Sequence, residues 1–314
     1  MSNKVSIIEY HYVRDLKNSR YPEIKGLDVE LFKNQLSYIL KHYQVIRMED
    51  LIEAARFKKQ LPENALLLTF DDGYRDHFEF VFPILTELGL QGSFFPPARA
   101  IQEHQVLDVN KIHFILASVE NKEQIVKDIF SLLDIHRAEY SLEVNEYYYN
   151  KLAQESRFDS KEVVFIKLIL QKELPEKLRN IIVNDLFKKY VSPDEKSFSR
   201  ELYMNLEQIK FMKKQGMFIG SHGFDHYWLD TLPPEKQEME INLSLEFLKK
   251  AGCDVSGWVM SYPYAAYNDS LISIIKEKDC VLALIEDGRI ADLDKDNPFA
   301  LPRLDTNDLP KDRI

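Results

Sequence analysis

Short apolar, β-branched runs alternate with amphipathic stretches in this 314-residue chain, and that alternation constrains the fold more than any other feature. Runs at 5–10, 65–70, 92–95, 217–220, 255–260 and 281–285 have the length and the bounding turn residues of buried strands. Helical spacing fills the gaps between them. Leu31, Phe32, Leu36, Ile39, Leu40 and Tyr43 recur three and four residues apart behind Asp28, a good N-cap, which predicts about four turns of helix. Similar patterns predict helices over 48–57, 77–88, 206–215, 234–250 and 269–278, and a short strand at 45–46. Strands that alternate with helices pair in parallel through βα units. Six such strands suit a closed or partly closed (β/α) barrel, an α/β class of fold, better than a two-layer sandwich. A doubly wound open sheet is the alternative.

The alternation is interrupted. The chain has only 10 glycines, and none lies between Gly92 and Gly216. Glycine disfavours helix interiors, so its absence fits a helical block, as does the spacing of Ile112, Ile115 and Leu116, of Ile125, Ile129, Leu132 and Leu133, of Val163, Ile166 and Leu170, and of Leu178, Ile181, Ile182 and Leu186. The expected organisation is one barrel formed by residues 1–106 and 201–314, with a helical insertion at 107–200.

A formal net charge of −10 argues against a binder of nucleic-acid backbones, which depends on basic patches. Cys253 and Cys280 are too few for a disulfide framework and wrongly spaced for structural zinc. The N-terminal residues contain no signal-peptide core, and no stretch approaches a membrane span. A cytoplasmic protein is expected, with peripheral membrane contact left open.

Three segments that directly follow predicted strands can carry chemistry. Thr69-Phe70-Asp71-Asp72-Gly73 ends a buried strand with two carboxylates, which repel unless a cation or a shared proton relieves them. Taken alone, Asp-Asp-Gly is also a common turn. Ser221-His222-Gly223-Phe224-Asp225-His226 carries two histidines four apart, able to converge on one metal or simply to sit in a solvated loop. Ser261-Tyr262-Pro263-Tyr264 is an aromatic turn that either packs a loop or offers main-chain N–H groups to a substrate oxygen. In a parallel barrel all strand C-termini open on one face, so these distant segments can meet.

In this order, and each after a strand, the three segments resemble the motifs of the polysaccharide deacetylase (NodB homology) family, carbohydrate esterase family 4. The resemblance covers roughly residues 5–100 and 206–285 and implies a distorted (β/α) barrel that removes acyl groups from sugars with a divalent metal ion. It implies Asp71 as general base and Asp72, His222 and His226 as metal ligands, with zinc first and cobalt, nickel, manganese or iron also permitted. Tyr262, Pro263 and Tyr264 match the motif that meets the substrate, the Tyr264 N–H facing the oxyanion.

Three positions depart from the family pattern. Gly223 stands where the family has Ser or Thr, Ser261 stands where it has the arginine that orients the base, and the strand at 281–287 lacks the Leu-x-His histidine that acts as acid. Arg303, in Leu301-Pro302-Arg303-Leu304-Asp305, is the candidate replacement for the arginine, against the alternative of a surface arginine paired with Asp305 or Asp308. His11, at the end of the first strand, is the candidate acid or substrate ligand, against a plain core or loop histidine.

In the insertion, Tyr147, Tyr148 and Tyr149 can stack on sugar rings or pack the helices, and Lys111, Arg157 or Lys167 can meet a phosphate in a lid over the substrate. The expected activity is metal-dependent removal of an acetyl or formyl group from an N-acylated sugar or glycan precursor, nucleotide-linked or lipid-linked. Self-association through the insertion is a further use of an apolar helix face. The rival expectation is a sugar-binding barrel or scaffold that has lost turnover.

Overall fold

The computed structural model describes residues 3–156 and 159–310. Its strands are β1 (Lys4–Tyr10), β2 (Val13–Arg14), β3 (Leu27–Asp28), β4 (Gln44–Val45), β5 (Ala65–Asp71), β6 (Ser93–Phe95), β7 (Phe218–Ile219), β8 (Val259–Ser261), β9 (Leu282–Glu286), β10 (Ala291–Asp292) and β11 (Leu301–Asp305). Seven of them form a parallel sheet in the order β7-β6-β5-β1-β11-β9-β8. The two outermost strands are then joined by a parallel bridge between Ser221 and Met260. There Ser221 N–H donates to the Val259 carbonyl at 3.0 Å and Ser261 N–H to the Ser221 carbonyl at 2.8 Å. The barrel is thus closed by main-chain hydrogen bonds at the strand ends that lead into His222 and Tyr262. The α/β barrel expected from the alternation is the observed fold.

The chain divides into two compact units. The first comprises Met1–Asp15, Gly26–Gln105 and Ser199–Ile314, and the second Leu16–Lys25 and Val106–Phe198. The barrel helices α1 (Val29–His42), α2 (Met48–Phe57), α3 (Phe82–Glu87) and α4 (Ala98–Glu103) precede the helical unit. That unit is built from α5 (Asp108–Ser118), α6 (Lys122–Tyr140), α7 (Asn145–Leu152), α8 (Lys161–Leu168), α9 (Glu176–Tyr190) and most of α10 (Glu195–Leu202). The barrel then resumes with α11 (Leu206–Lys214), α12 (Pro234–Lys250) and α13 (Asp269–Glu277). Asp28 caps α1 as expected, its carboxylate accepting from Glu30 N–H at 3.0 Å.

Two differences from the sequence reading have local causes. Residues 77–88 are not one α-helix: His77–Val81 is a π-helical turn that passes into α3, a wider winding that hydrophobic periodicity does not report. Segment 16–25, assigned to the barrel from sequence, groups with the helical unit. Its Tyr21 ring meets Phe114 edge-on at 4.9 Å and Phe198 at 5.9 Å, contacts too distant in sequence to be read from it.

Period-two alternation explains how a hydrophobic barrel holds a charged site. Val5, Ile7, Ala65, Leu67, Val259, Leu282, Leu284 and Leu301 belong to one buried apolar cluster. Two residues further along the same strand faces come Glu9, Thr69, Ser261 and Arg303, and then Asp71. The opposite faces of β1, β5 and β6 carry Tyr10, Phe70 and Phe94, stacked at 5.1 and 4.8 Å between ring centroids. Phe32 of α1 closes on Tyr10 edge-on at 5.3 Å, so the sheet is anchored on its helical layer by aromatic contact.

Candidate active site

The strand ends bring seven ionisable side chains from four segments to one mouth of the barrel: Glu9 and His11 at the end of β1, Asp71 and Asp72 at the end of β5, His222 and His226 from the loop after β7, and Arg303 from β11. All but His11 are buried. They fall into two groups with different chemistry.

The first group is Asp72, His222 and His226, one ligand atom of each lying within 4.8 Å of the others. Asp72 Oδ1 is 3.5 Å from His222 Nε2 and 3.3 Å from His226 Nε2. His222 Nδ1 is 2.8 Å from the Ser261 carbonyl, which makes it an N–H nitrogen, so in the neutral imidazole the Nε2 lone pair faces Asp72. The Asp72 Oδ2 atom accepts from the Tyr74 hydroxyl. Asp72 Oδ1 and His222 Nε2 are buried with no hydrogen-bond partner. Two acceptor atoms pointing at one another are costly unless a cation lies between them. One carboxylate and two imidazoles are a donor set suited to a divalent ion, so the residues fit the metal that the motif implies. Burial raises the Asp72 carboxyl, but the two histidine side chains beside it override that and hold the group well below the usual range. Asp72 and His226 both adopt left-handed φ, +68° and +55°, conformations that a non-glycine residue keeps only when its surroundings enforce them.

The second group is Glu9, Asp71, Arg303 and His11. Arg303 Nη2 lies 2.7 Å from Asp71 Oδ2 and 2.9 Å from Glu9 Oε1, and Nη1 donates to Thr69 Oγ1 at 3.2 Å. The Ser261 hydroxyl donates to the same Asp71 Oδ2 at 2.9 Å. Glu9, His11 and Asp71 also meet the spacing of a metal cluster, but here the guanidinium already supplies the cation. Burial pushes Glu9 up to about 7, with Arg303 opposing and Asp71 reinforcing that shift. Burial also raises Asp71, but Arg303 and His222 outweigh it and keep the carboxyl well below its ordinary value. Burial lowers the His11 imidazole, while Glu9, at 3.6 Å, together with Asp72 and Asp71, lifts it above its usual value. The His11 side chain is 42% exposed, the most open of the set. Its carbonyl is gripped at 2.7 Å by the Nε2 of His77, a buried imidazole that burial holds down to about 4 and therefore neutral.

A sequence profile described as polysaccharide deacetylase matches residues 58–131 and 194–282, more than half of the chain. The chain belongs to the polysaccharide deacetylase family. Poly-beta-1,6-N-acetyl-D-glucosamine N-deacetylase of Escherichia coli (strain K12) is 35% identical over 80 residues, which is 25% of this chain and only 12% of that protein. Among solved structures, the Streptococcus pyogenes deacetylase PplD in complex with acetate superposes with a TM-score of 0.59 at 15% identity, covering 97% of this chain and 93% of that one. The deacetylase domain of BpsB from Bordetella bronchiseptica gives 0.56 at 14%, covering 96% of each, and IcaB from Ammonifex degensii 0.55 at 16%, covering 97% and 92%. At these identities the likeness is one of fold, and it extends over the helical unit as well as the barrel.

Against the motifs of this polysaccharide deacetylase family, the structure brings Asp71, Asp72, His222, His226, Arg303 and His11 together. The surface-pair alternative for Arg303 is excluded, because the side chain is 1% exposed and points at Asp71 and Glu9. Ser261 is shorter than the family's arginine yet still reaches the same Asp71 oxygen. At the aromatic turn, Tyr262 and Pro263 are buried, and Tyr262 stacks on Tyr267 at 5.2 Å. Of the three proposed substrate contacts only Tyr264 keeps a half-buried ring, stacked on Trp228 at 4.4 Å and 3° and edge-on to His226 at 4.7 Å.

Two of the three side chains offered for a phosphate in the helical unit already have partners within the protein. Lys111 is buried, its ammonium 2.9 Å from Glu195 and 2.6 Å from Asn184, and Lys167 pairs with Asp159 at 2.7 Å. Arg157 lies outside the described residues. Tyr148 is buried and Tyr149 packs against Phe165 at 5.2 Å, so only Tyr147 of the three is exposed. Sequence reasoning missed Glu9, Tyr74 and His77. A glutamate inside the apolar run Val5–Tyr10 was the available signal for the first.

Proposed function

We propose that the chain is a metal-dependent hydrolase that removes an acetyl or formyl group from an N-acylated amino sugar, in a glycan or in a precursor carried on a nucleotide or lipid. The observation that best supports this is the partnerless Asp72–His222 pair beside a carboxylate, Asp71, whose own cation is a buried arginine. A divalent ion held by Asp72, His222 and His226 supplies polarisation of the acyl carbonyl and a lowered pKa for the attacking water. Asp71 is the general base. Arg303 and Ser261 occupy its Oδ2, while Oδ1 is buried without a protein partner and is free to take the proton of the attacking water. Arg303 keeps that carboxylate ionised and oriented, in place of the arginine that Ser261 replaces.

His11 is the general acid. Its imidazole is partly open to solvent, and Glu9, Asp72 and Asp71 favour its protonated form, so it is suited to deliver a proton to the departing amine nitrogen. Tyr264 offers its main-chain N–H to the acyl oxygen, and its ring, stacked on Trp228, offers an aromatic edge or face to the sugar.

The test is release of acetate and formate from a panel of N-acylated hexosamines, their oligomers and nucleotide-linked forms, with zinc, cobalt or nickel added. Release that is abolished in D71N, with metal binding retained, is the expected result. Stoichiometric metal binding with no release from any member of the panel would refute it and favour a sugar-binding barrel.

A further inference from the structure

The two histidine ligands are joined by a loop, residues 221–226, in which six main-chain groups are held from outside. Ser221 is tied into the barrel closure through both its N–H and its carbonyl. The Gly223 N–H donates to Ser221 Oγ at 3.2 Å, and that hydroxyl is itself hydrogen-bonded to Ser244 of α12. The Gly223 and Phe224 carbonyls accept from Ala98 and Arg99 N–H of α4 at 3.2 and 2.9 Å. The Phe224 and Asp225 N–H groups are held from a third direction. Both are taken by one atom: Glu240 Oε2 of α12 accepts from Phe224 N–H at 3.1 Å and from Asp225 N–H at 2.9 Å. Glu240 is 2% exposed.

A single buried carboxylate spanning two consecutive amides does more than satisfy them. Two consecutive N–H groups can share one acceptor only when the chain curls around it. The curl is visible in the backbone: Gly223 has φ +76° and His226 φ +55°, a left-handed bracket on either side of the two donors. For His226 that conformation is strained against an ordinary φ, and relaxing it would turn the imidazole away from Asp72. A β-carbon built at Gly223 would stand in ordinary contact, 3.8 Å from Glu240 Oε2, so the positive φ rather than crowding is what calls for glycine there.

We propose that Glu240 is the positioning residue of the metal loop: its carboxylate, by accepting from Phe224 and Asp225, holds the turn that aims His226 at the ion. Glu240 is neither a ligand nor a catalytic residue. It acts through the backbone, so reach matters and charge does not. The inference rests on the metal reading of Asp72, His222 and His226.

Reach and charge separate in two conservative variants of the full chain. E240D keeps the charge and withdraws it by about 1.5 Å, the length of one carbon–carbon bond, whereas E240Q keeps the reach and supplies a neutral acceptor oxygen. Titration with zinc or cobalt alone should show E240D weakened tenfold or more, the range found when a partner behind a ligand is lost, and E240Q within threefold of the wild type. In the metal-free proteins, amide exchange at Phe224 and Asp225 should accelerate in E240D and stay protected in E240Q. The proposal is overturned if E240D binds metal like the wild type with both amides still protected, or if E240Q loses as much affinity as E240D. A wild-type chain that takes up no metal overturns the metal reading itself, and the Glu240 inference with it. Wild-type uptake with indifferent variants overturns the inference alone.

Discussion

Replacing Arg303 with methionine tests the ionic centre of the site without requiring a known substrate. The side chain is 1% exposed and its Nη2 sits 2.7 Å from Asp71 and 2.9 Å from Glu9, carboxylates with side chains 0% and 5% exposed. Methionine fills much of the aliphatic volume but leaves both carboxyl groups without a cation. Two charge-assisted hydrogen bonds, at about 1.5–3 kcal/mol each, set the scale of the loss. The two losses do not simply add, because Glu9, already pushed up to about 7, can take a proton and become neutral. The expected cost is therefore the 3–5 kcal/mol typical of breaking one buried ion pair.

The same logic sets the double variant. In an E9Q background Arg303 has one carboxylate fewer to satisfy, so R303M should cost about 1–3 kcal/mol less there, a coupling of the size found between residues in one network. Urea unfolding followed by tryptophan fluorescence reads the barrel specifically, since both tryptophans, Trp228 and Trp258, lie in that unit and Trp258 is buried. Metal affinity should change little, because Arg303 touches none of Asp72, His222 and His226. A cost below 1 kcal/mol, or the same cost with and without Glu9, refutes the idea that Arg303 is the shared counter-ion of the site.

Three further outcomes follow from the geometry. Glu9 has a folded pKa of about 7 against 4.5 for the free group, so it binds its proton more tightly when folded. Its contribution to stability is complete below about 4.5 and is lost as pH rises through 7, about 3 kcal/mol in all, and E9Q should flatten that part of the stability profile measured by denaturation between pH 4.5 and 8. G220A should destabilise the barrel by about 3 kcal/mol, because the added carbon would stand 2.4 Å from Phe95 and 2.8 Å from the immovable carbonyl of Val259; a melting temperature equal to that of the wild type contradicts this. K111M should cost the helical unit about 1–2 kcal/mol, discounted because Glu195 is a third exposed, and should accelerate amide exchange in α5 and α9, with inorganic phosphate giving no protection in the wild type.

The elements that local pattern can report were legible. Strands β1, β5, β6, β7 and β9 and helices α1, α2, α11, α12 and α13 lie where apolar period and caps put them, the run at 255–260 becomes strand only from Val259 because residues 256–257 form a turn, and the glycine-free block is helical. The last barrel strand was not recognised, because Pro302 inside Leu301–Asp305 reads as a strand breaker. The structure accommodates it in a parallel ladder where Leu301, Pro302 and Arg303 face Leu284, Ile285 and Glu286 of β9. Glu9 escaped for a related reason: a carboxylate in an apolar strand is intelligible only with its counter-ion, and that ion lies on a strand near the other end of the chain. Asp71, Asp72, His222 and His226 were legible because contiguous motifs carry them. Glu240 was not, since nothing in the sequence of α12 distinguishes a helix glutamate facing water from one facing two amides.

The register of the sheet explains why an arginine from β11 can stand in for one missing after β8. β1 lies between β5 and β11, pairing Glu9 with Thr69 on one side and with Asp305 on the other. Arg303 therefore starts one layer deeper than Glu9 and two layers deeper than Asp71, and its long side chain rises along the inner face of the barrel to meet both carboxylates from below. A lysine, ending in a single ammonium, could not fork between Glu9, Asp71 and Thr69 in this way. With Arg303 and Ser261 both on Oδ2, Asp71 keeps its Oδ1 without a protein partner. Ser261, standing where the family pattern has an arginine, holds the same Oδ2 with a shorter side chain. The departure at Ser261 and the buried Arg303 are thus two halves of one arrangement, and exchanging only one of them should leave Asp71 either without its cation or crowded by a second.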